Sequence, residues 1–387
     1  MGRQSGAVGL AIGILIGVIA HTPSAAGDGG QFPRPAIPWD PAHYLCYRTT
    51  DSITIDGRLD EADWADADWT AEFVDIEGDA KPAPRFSTRV KMLWDEENLY
   101  VAASMEEPHV WGTLTDRDAV IYYDNDIEVF IDPDGDTHEY YELEINALGT
   151  EWDLLLTRPY RDGGTAVDSW DIRGLKSAVQ VHGTLGDPRD VDQGWSIEIA
   201  IPWKVLEECA RKPAPPRDGD QWRVNFSRVE WQHRIVGEGY RKAIDEATGK
   251  PLPESNWVWS PQGLIRMHYP ERWGFVQFSD ITAGDGSADF KADPENDLLH
   301  SLRLLYYKQK SFHSLKGRYA LRLEELADLP PALGGWETLR GGCRLTSSGR
   351  TYEISLRLRS GVLLHIDEQG RSWRSGVASG RSAGDDD

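Results

Sequence analysis

The sequence predicts a mainly β protein: an antiparallel β-sandwich of immunoglobulin or jelly-roll type, followed by a small α+β appendage. Three observations predict it. From Tyr47 onward, short runs rich in β-branched and aromatic residues recur between clusters of Gly, Asp, Asn and Pro, the texture of many short strands joined by turns. The stretch 126–146 then spells out a hairpin, because apolar and polar residues alternate on both sides of Asp132-Pro133-Asp134-Gly135-Asp136. Beyond 298 the period changes from two to between three and four.

Taken in order, residues 1–26 carry Arg3, an apolar run over 7–20 and Ser24-Ala25-Ala26, and read as a cleaved secretory signal. Residues 27–45 are a Gly- and Pro-rich lead-in, and 46–280 form the sandwich. Its clearest strands are 89–93, 99–104, 127–131, 141–147, 152–157, 195–201, 222–231 and 274–278, with short helices at 59–64 and, after Pro202, at 203–209. A linker rich in Gly, Asp and Ala follows at 281–297. The appendage, 298–374, opens with a helix whose Leu298, Leu302, Leu305 and Gln309 share a stripe, and a second helix begins near Leu323 and stops at Pro330-Pro331. Strands at 352–358 and 362–367 complete it, before a disordered acidic tail at 375–387.

Composition narrows the partners. A formal charge of −23 excludes a nucleic-acid reader, which needs a basic surface, and disfavours anionic lipid. No segment after the signal is apolar enough to span a bilayer. Cys46, Cys209 and Cys343 allow at most one disulfide and form no zinc spacing. Oligomeric state is open.

In the hairpin, Ile127, Val129 and Ile131 share a face with Tyr141, Leu143, Ile145 and Ala147. The opposite face collects Asp126, Glu128 and Phe130 with Tyr140, Glu142, Glu144 and Asn146. Three glutamates on one surface repel unless something binds them, so this is either a solvated outer face or a binding face. Trp257 and Trp259 lie two apart and point the same way if the chain is extended, as a pair of core rings or as a platform for the apolar faces of sugar rings. Asp132, Asp134 and Asp136 alternate about Gly135, which reads as a plain turn or as hard oxygen ligands for Ca²⁺.

One succession of motifs is specific. It runs Ile55-Asp56-Gly57, Leu59-Asp60-Glu61 and Trp64, then Val90-Lys91-Met92-Leu93-Trp94-Asp95 and Leu99-Tyr100-Val101. It continues with Asp126-Ile127-Glu128-Val129-Phe130-Ile131-Asp132, Tyr140-Tyr141-Glu142, the stretch from Gly194-Trp195 to Pro202-Trp203, and Trp273-Gly274. In this order, over about 46–279, it resembles the family 9 carbohydrate-binding modules. The resemblance implies a sandwich that holds the end of a saccharide between two aromatic rings, with structural calcium and no catalysis. On that pattern Tyr122 or Tyr123 is one wall and Trp257 or Trp259 the other, while Glu128 and Asn146 contact hydroxyls. Glu144 stands where sugar-binding members carry Arg, which replaces a bidentate donor with a negative charge.

Two other classes remain open on the sequence. Glu128, Glu142, Glu144, Glu198 and Glu230 offer pairs for a secreted glycoside hydrolase. Met267-His268 offers axial ligands for a haem-binding sandwich, although CxxCH is missing; His268 also reads as a structural histidine or a sugar contact. Motifs for serine, zinc-protease and phosphate-loop chemistry are absent.

Overall fold

A computed structural model describes residues 32–51, 53–329 and 336–376. The signal segment, residues 27–31 of the lead-in, Pro330-Pro331 and nearly all of the acidic tail lie outside the described residues. The sandwich part contains β1 His43–Arg48, β2 Val74–Asp75, β3 Thr88–Trp94, β4 Asn98–Glu106, β5 Asp126–Asp132, β6 Tyr140–Asn146 and β7 Glu151–Leu156. It continues with β8 Ala166–Val167, β9 Lys176–His182, β10 Gly194–Pro202, β11 Gln221–Glu230, β12 His233–Val236, β13 Gly239–Lys242, β14 Ser255–Val258 and β15 Gly274–Thr282. Helices α1 Ala62–Asp66 and α2 Trp203–Ala210 are its only α-helices among the described residues.

Hydrogen bonding runs β8-β7-β6-β5-β11-β15-β1-β3-β4-β10-β9, with β14 and β2 branching from β11. Pairing is antiparallel except at β1, which runs parallel to both β15 and β3. Along this ladder the sheet folds over, so that Ile127, Val129, Leu143 and Ile145 from one half meet Val90, Val101, Ile197 and Ile199 from the other in a single core. Alternation puts one side chain in two into that core and the other on the outer face. The two faces read from the letters are the ones observed, and the pairing sets Glu128 against Glu144, Asp126 against Asn146 and Phe130 against Glu142.

The C-terminal unit consists of α3 Glu295–Lys316, α4 Trp336–Gly342 and a four-stranded meander of β16 Cys343–Ser347, β17 Tyr352–Arg357, β18 Leu363–Asp367 and β19 Ser372–Ser375. Near Leu323 the chain makes only a 3₁₀ turn, Leu323–Leu326, where the sequence suggests a helix. Leu302, Leu305 and Phe312 of α3 pack with Ile354, Leu364 and Ile366 of the meander. Tyr269 of the sandwich segment belongs to this same cluster, so the two units share apolar contacts. The three cysteines are free.

Candidate functional site

The outer face of the hairpin is where the chemistry collects. A row crosses four strands: Ser227 of β11, Glu128 of β5, Glu144 of β6 and Trp152 of β7. The next rows carry Val229, Asp126 and Asn146 on one side, and Asn225, Phe130, Glu142 and Leu154 on the other. Asp126, Glu128, Glu142 and Glu144 are all buried, yet none has a basic partner within ion-pair distance among the described residues. Carboxylate oxygens of Asp126, Glu128 and Glu144 come within 4.8 Å of one another.

Burial is the first cause of the electrostatics that follow. It raises Glu128 to about 7, opposed by the Ser227 hydroxyl and reinforced by Glu254. It holds Asp126, Glu142 and Glu144 well above the usual carboxylate range, with their mutual repulsion adding to the effect. Some oxygens find donors: the Tyr122 amide donates to Glu144 Oε2 at 2.9 Å and the Val229 amide to Asp126 Oδ1 at 3.2 Å. Asp126 Oδ2 and Glu142 Oε2 are buried and find none. Unsatisfied buried acceptors of this kind are costly, and a ligand bearing hydroxyls would satisfy them.

Aromatic rings border the face. Tyr123 is 46% exposed and Tyr160 47% exposed, while Tyr122 stands between Tyr123 and Trp152 at ring separations of 4.7 and 6.3 Å. The charges of Glu142 and Glu144 help to raise Tyr160 after burial, which puts that ring beside the acidic row. Lys242 Nζ lies 3.2 Å from the Trp231 ring centroid and 5.3 Å from that of Tyr123, and burial brings it down to about 8 against the opposing pull of Asp124, Glu254 and Asp126. Sequence reading missed Tyr160, Trp152 and Lys242. Trp152 was legible from the strand period, whereas Tyr160 and Lys242 arrive from a 3₁₀ turn and a distant hairpin that no local pattern ties to this face.

Other expected residues sit elsewhere. Trp257 and Trp259, 3% and 4% exposed, belong to the core, so the proposed sugar platform is corrected to a pair of interior rings. They do point the same way, but inward. Trp259 packs so tightly on β15 that a Cβ on Gly274 would come within 2.5 Å of its ring. Asn146 is also committed: its amide donates to Leu114 O and Asp124 Oδ2 and accepts from the Leu148 and Thr150 amides, bracing a loop with no group left for a sugar. His268 Nδ1 hydrogen-bonds the Tyr140 hydroxyl at 2.9 Å and its ring meets Tyr160 edge-on at 4.5 Å, at the border of the face.

Two of the five glutamates are structural. Glu198 accepts from the Asp56 and Gly57 amides and from Trp64 Nε1, at 2.8–2.9 Å. Glu230 and Glu107 flank Arg228 at 3.0 and 2.8 Å in a fully buried triad. At the hairpin turn, Asp132, Asp134 and Asp136 also bring oxygens within 4.8 Å. There Asp132 accepts from the Gly135 and Thr137 amides, and Asp136 from Arg371 at 2.8 Å with Arg211 at 3.6 Å. Burial, followed for Asp134 by repulsion from Asp136, lifts these two to about 7 and about 6. Three hard oxygens suit Ca²⁺, and the guanidinium groups supply part of the balancing charge.

Among the described residues no helix is long and apolar enough to cross a membrane. Residues 55–217 match the model of the carbohydrate family 9 binding domain-like family. The endo-1,4-beta-xylanase A of Thermotoga neapolitana is 26% identical over 163 residues, and the exoglucanase XynX of Acetivibrio thermocellus 29% over 155. These alignments span 42% and 39% of this chain but only 12% of each relative. Among solved structures, a family 9 module from Caldicellulosiruptor kristjanssonii in complex with cellotriose aligns over 65% of this chain and 98% of its own, at 15% identity and a TM-score of 0.39. A putative carbohydrate-binding protein from Bacteroides uniformis aligns over 62% of this chain and 100% of its own, at 17% identity and 0.44. The matched segment holds the motif succession apart from Trp273-Gly274, together with the acidic hairpin and the strand that carries Glu198, and over these residues the chain is similar to the family 9 binding domains.

Proposed function

We propose that the protein is an exported, non-catalytic carbohydrate-binding protein that holds a saccharide on the outer face of β5 and β6, between Tyr123 and Tyr160. The observation that carries this reading is the set of four buried carboxylates without a basic partner among the described residues, bordered by half-exposed tyrosines. Sugar hydroxyls donate to carboxylate oxygens, and the C–H faces of a sugar ring lie against aromatic rings. Asp126 Oδ2 and Glu142 Oε2 are the acceptors that gain most. Export rests on the apolar stretch 7–20 and the small residues at 24–26. Calcium belongs to the same proposal as a structural ion, at the Asp132, Asp134 and Asp136 turn.

Affinity electrophoresis through gels containing soluble xylan or mixed-linkage β-glucan tests the site. Tyr123→Ala and Tyr160→Ala should each lose retention by about fivefold or more, since each removes one stacked ring of about 1 kcal/mol or more, with Tm unchanged because both rings are half exposed. Normal retention in both variants sinks the reading. New reducing ends that vanish in Glu128→Gln or Glu144→Gln would replace binding with hydrolysis.

A further inference from the structure

A second cavity, of about 640 Å³, opens where the C-terminal unit covers the other end of the same outer face. Strand alternation puts Arg223 of β11 on the face that carries Ser227, two pairs along toward the turn, opposite Asp132 and Phe275. From α3 come His300 and Arg303, and from β19 comes Trp373. This end brings six basic side chains beside five carboxylates, where the acidic row has no basic partner among the described residues. It is notable in a chain of net charge −23.

The cavity's carboxylates are largely spoken for. Asp136 pairs with Arg371 at 2.8 Å, Asp293 with Arg374 at 2.9 Å, and Glu271 with Arg161 at 2.8 Å. The cations are not matched in the same way. Arg223 has no ion pair among the described residues, and its single hydrogen bond runs from Nη1 to the Trp273 carbonyl at 2.7 Å. Its guanidinium lies 3.6 Å from the Phe275 ring centroid, and burial brings it down to about 9 despite Asp132 and Glu271. Arg303 is 3% exposed and reaches Glu271 only at 4.0 Å, and its Nη1 finds no acceptor. Nδ1 of His300 is likewise buried without a partner. Lys212 and Lys291, on the rim, have no ion pair among the described residues either.

Three partly exposed rings line the same space: Trp39, which stacks on His300 at 4.7 Å, Phe275 and Trp373. A desolvated guanidinium without a counter-ion is expensive to keep, and its planar fork suits a carboxylate held by two hydrogen bonds. The volume is that of a ligand pocket rather than of an ion site. We propose that this cavity binds a carboxylate-bearing sugar ring, an acidic sugar of the uronate class, with Arg223 on the carboxylate and the rings against the sugar. The site is independent of the acidic face.

Titration calorimetry on the full chain at low salt tests it with three probes: sodium glucuronate, glucose and inorganic phosphate. Glucuronate should bind saturably, weaken as salt is raised, and lose at least about tenfold in affinity in Arg223→Gln, the loss expected for a charged hydrogen-bonded contact. Lys212→Ala, a rim change that leaves the core untouched, should weaken it several-fold and keeps the test open if Arg223→Gln does not fold. Glucose binding as tight as glucuronate, phosphate binding as tight as glucuronate, or glucuronate affinity unchanged in folded Arg223→Gln or Lys212→Ala would each overturn the proposal.

Discussion

Glu198 explains at the scale of one residue why separate motifs travel together. It sits on β10, fully buried, and its two oxygens take the Asp56 and Gly57 amides and the Trp64 indole. Gly57 is held at φ 85°, and a Cβ there would come within 2.6 Å of the Gln180 amide, so no other residue lets the turn reach the carboxylate. A conspicuous glutamate is thus a clasp rather than a reactive group. Glu128 is the contrasting case, because no basic side chain among the described residues pairs with it. Its folded value near 7 lies above the ordinary carboxylate value, so the folded state retains a proton that the unfolded chain releases. Stability therefore falls as pH rises from about 4.5 to 7 and then levels off. Glu128→Gln should gain about 1–3 kcal/mol at pH 8 and almost nothing at pH 4, read by urea denaturation. An equal effect at both pH values would contradict the assignment.

At the scale of elements, the hairpin was the most legible part of the chain. Period two fixes which side chains share a face, and both strands agreed, so the common face of Glu128, Glu142 and Glu144 followed from letters alone, while the pairing of Glu128 with Glu144 came from the structure. The same rule put Trp257 and Trp259 on one side of the extended chain but left the side itself undetermined, since β14, which ends at Val258, is a short branch whose inward face is set by β11 and β2. Helix α3 shows the reverse limit. Its apolar stripe was readable, but it also presents Arg303, Tyr306, Tyr307 and Lys310 to the sandwich. The turn of β5 and β6 carries its own prediction. Millimolar Ca²⁺ should raise Tm relative to chelator, by the equivalent of about 2.7 kcal/mol at a hundredfold excess over Kd. Asp134→Asn should abolish the gain if the ion sits at the turn. Loss of the gain in Glu144→Gln but not in Asp134→Asn would move the ion to Asp126, Glu128 and Glu144.

Across the whole molecule, the two units are joined by a buried polar network as well as by apolar contacts. Arg161 bonds Glu271 at 2.8 Å and lies 4.0 Å from the Tyr269 ring centroid, Tyr307 donates to Glu271 at 2.5 Å, and Tyr306 and Lys310 both reach Asp162. Burial alone would raise Glu271, but Arg161 and Arg303 hold it down to about 2. A depressed folded value contributes stability above the unfolded value near 4.5 that is lost as pH falls toward 2. Glu271→Ala leaves Arg161 with Asp162 alone, at 3.3 Å, and takes from Arg303 its nearest carboxylate, at 4.0 Å; it should cost about 3–5 kcal/mol at pH 7. Because the network spans both units, calorimetry should show a single transition that moves as one. Two transitions, with only the smaller displaced, would show that the units fold separately.

The sequence by itself determined the strand periods, the two faces of the hairpin and the motif order, because each depends on backbone geometry within a few residues. The tertiary structure alone decided that the tryptophans face inward, that Asn146 braces a loop, and that Tyr160, Lys242 and Arg223 stand where they do. Those outcomes depend on which distant surfaces fold over one another, and burial rather than residue type then sets whether a carboxylate is a clasp, an ion-pair partner or an acceptor left open for a ligand.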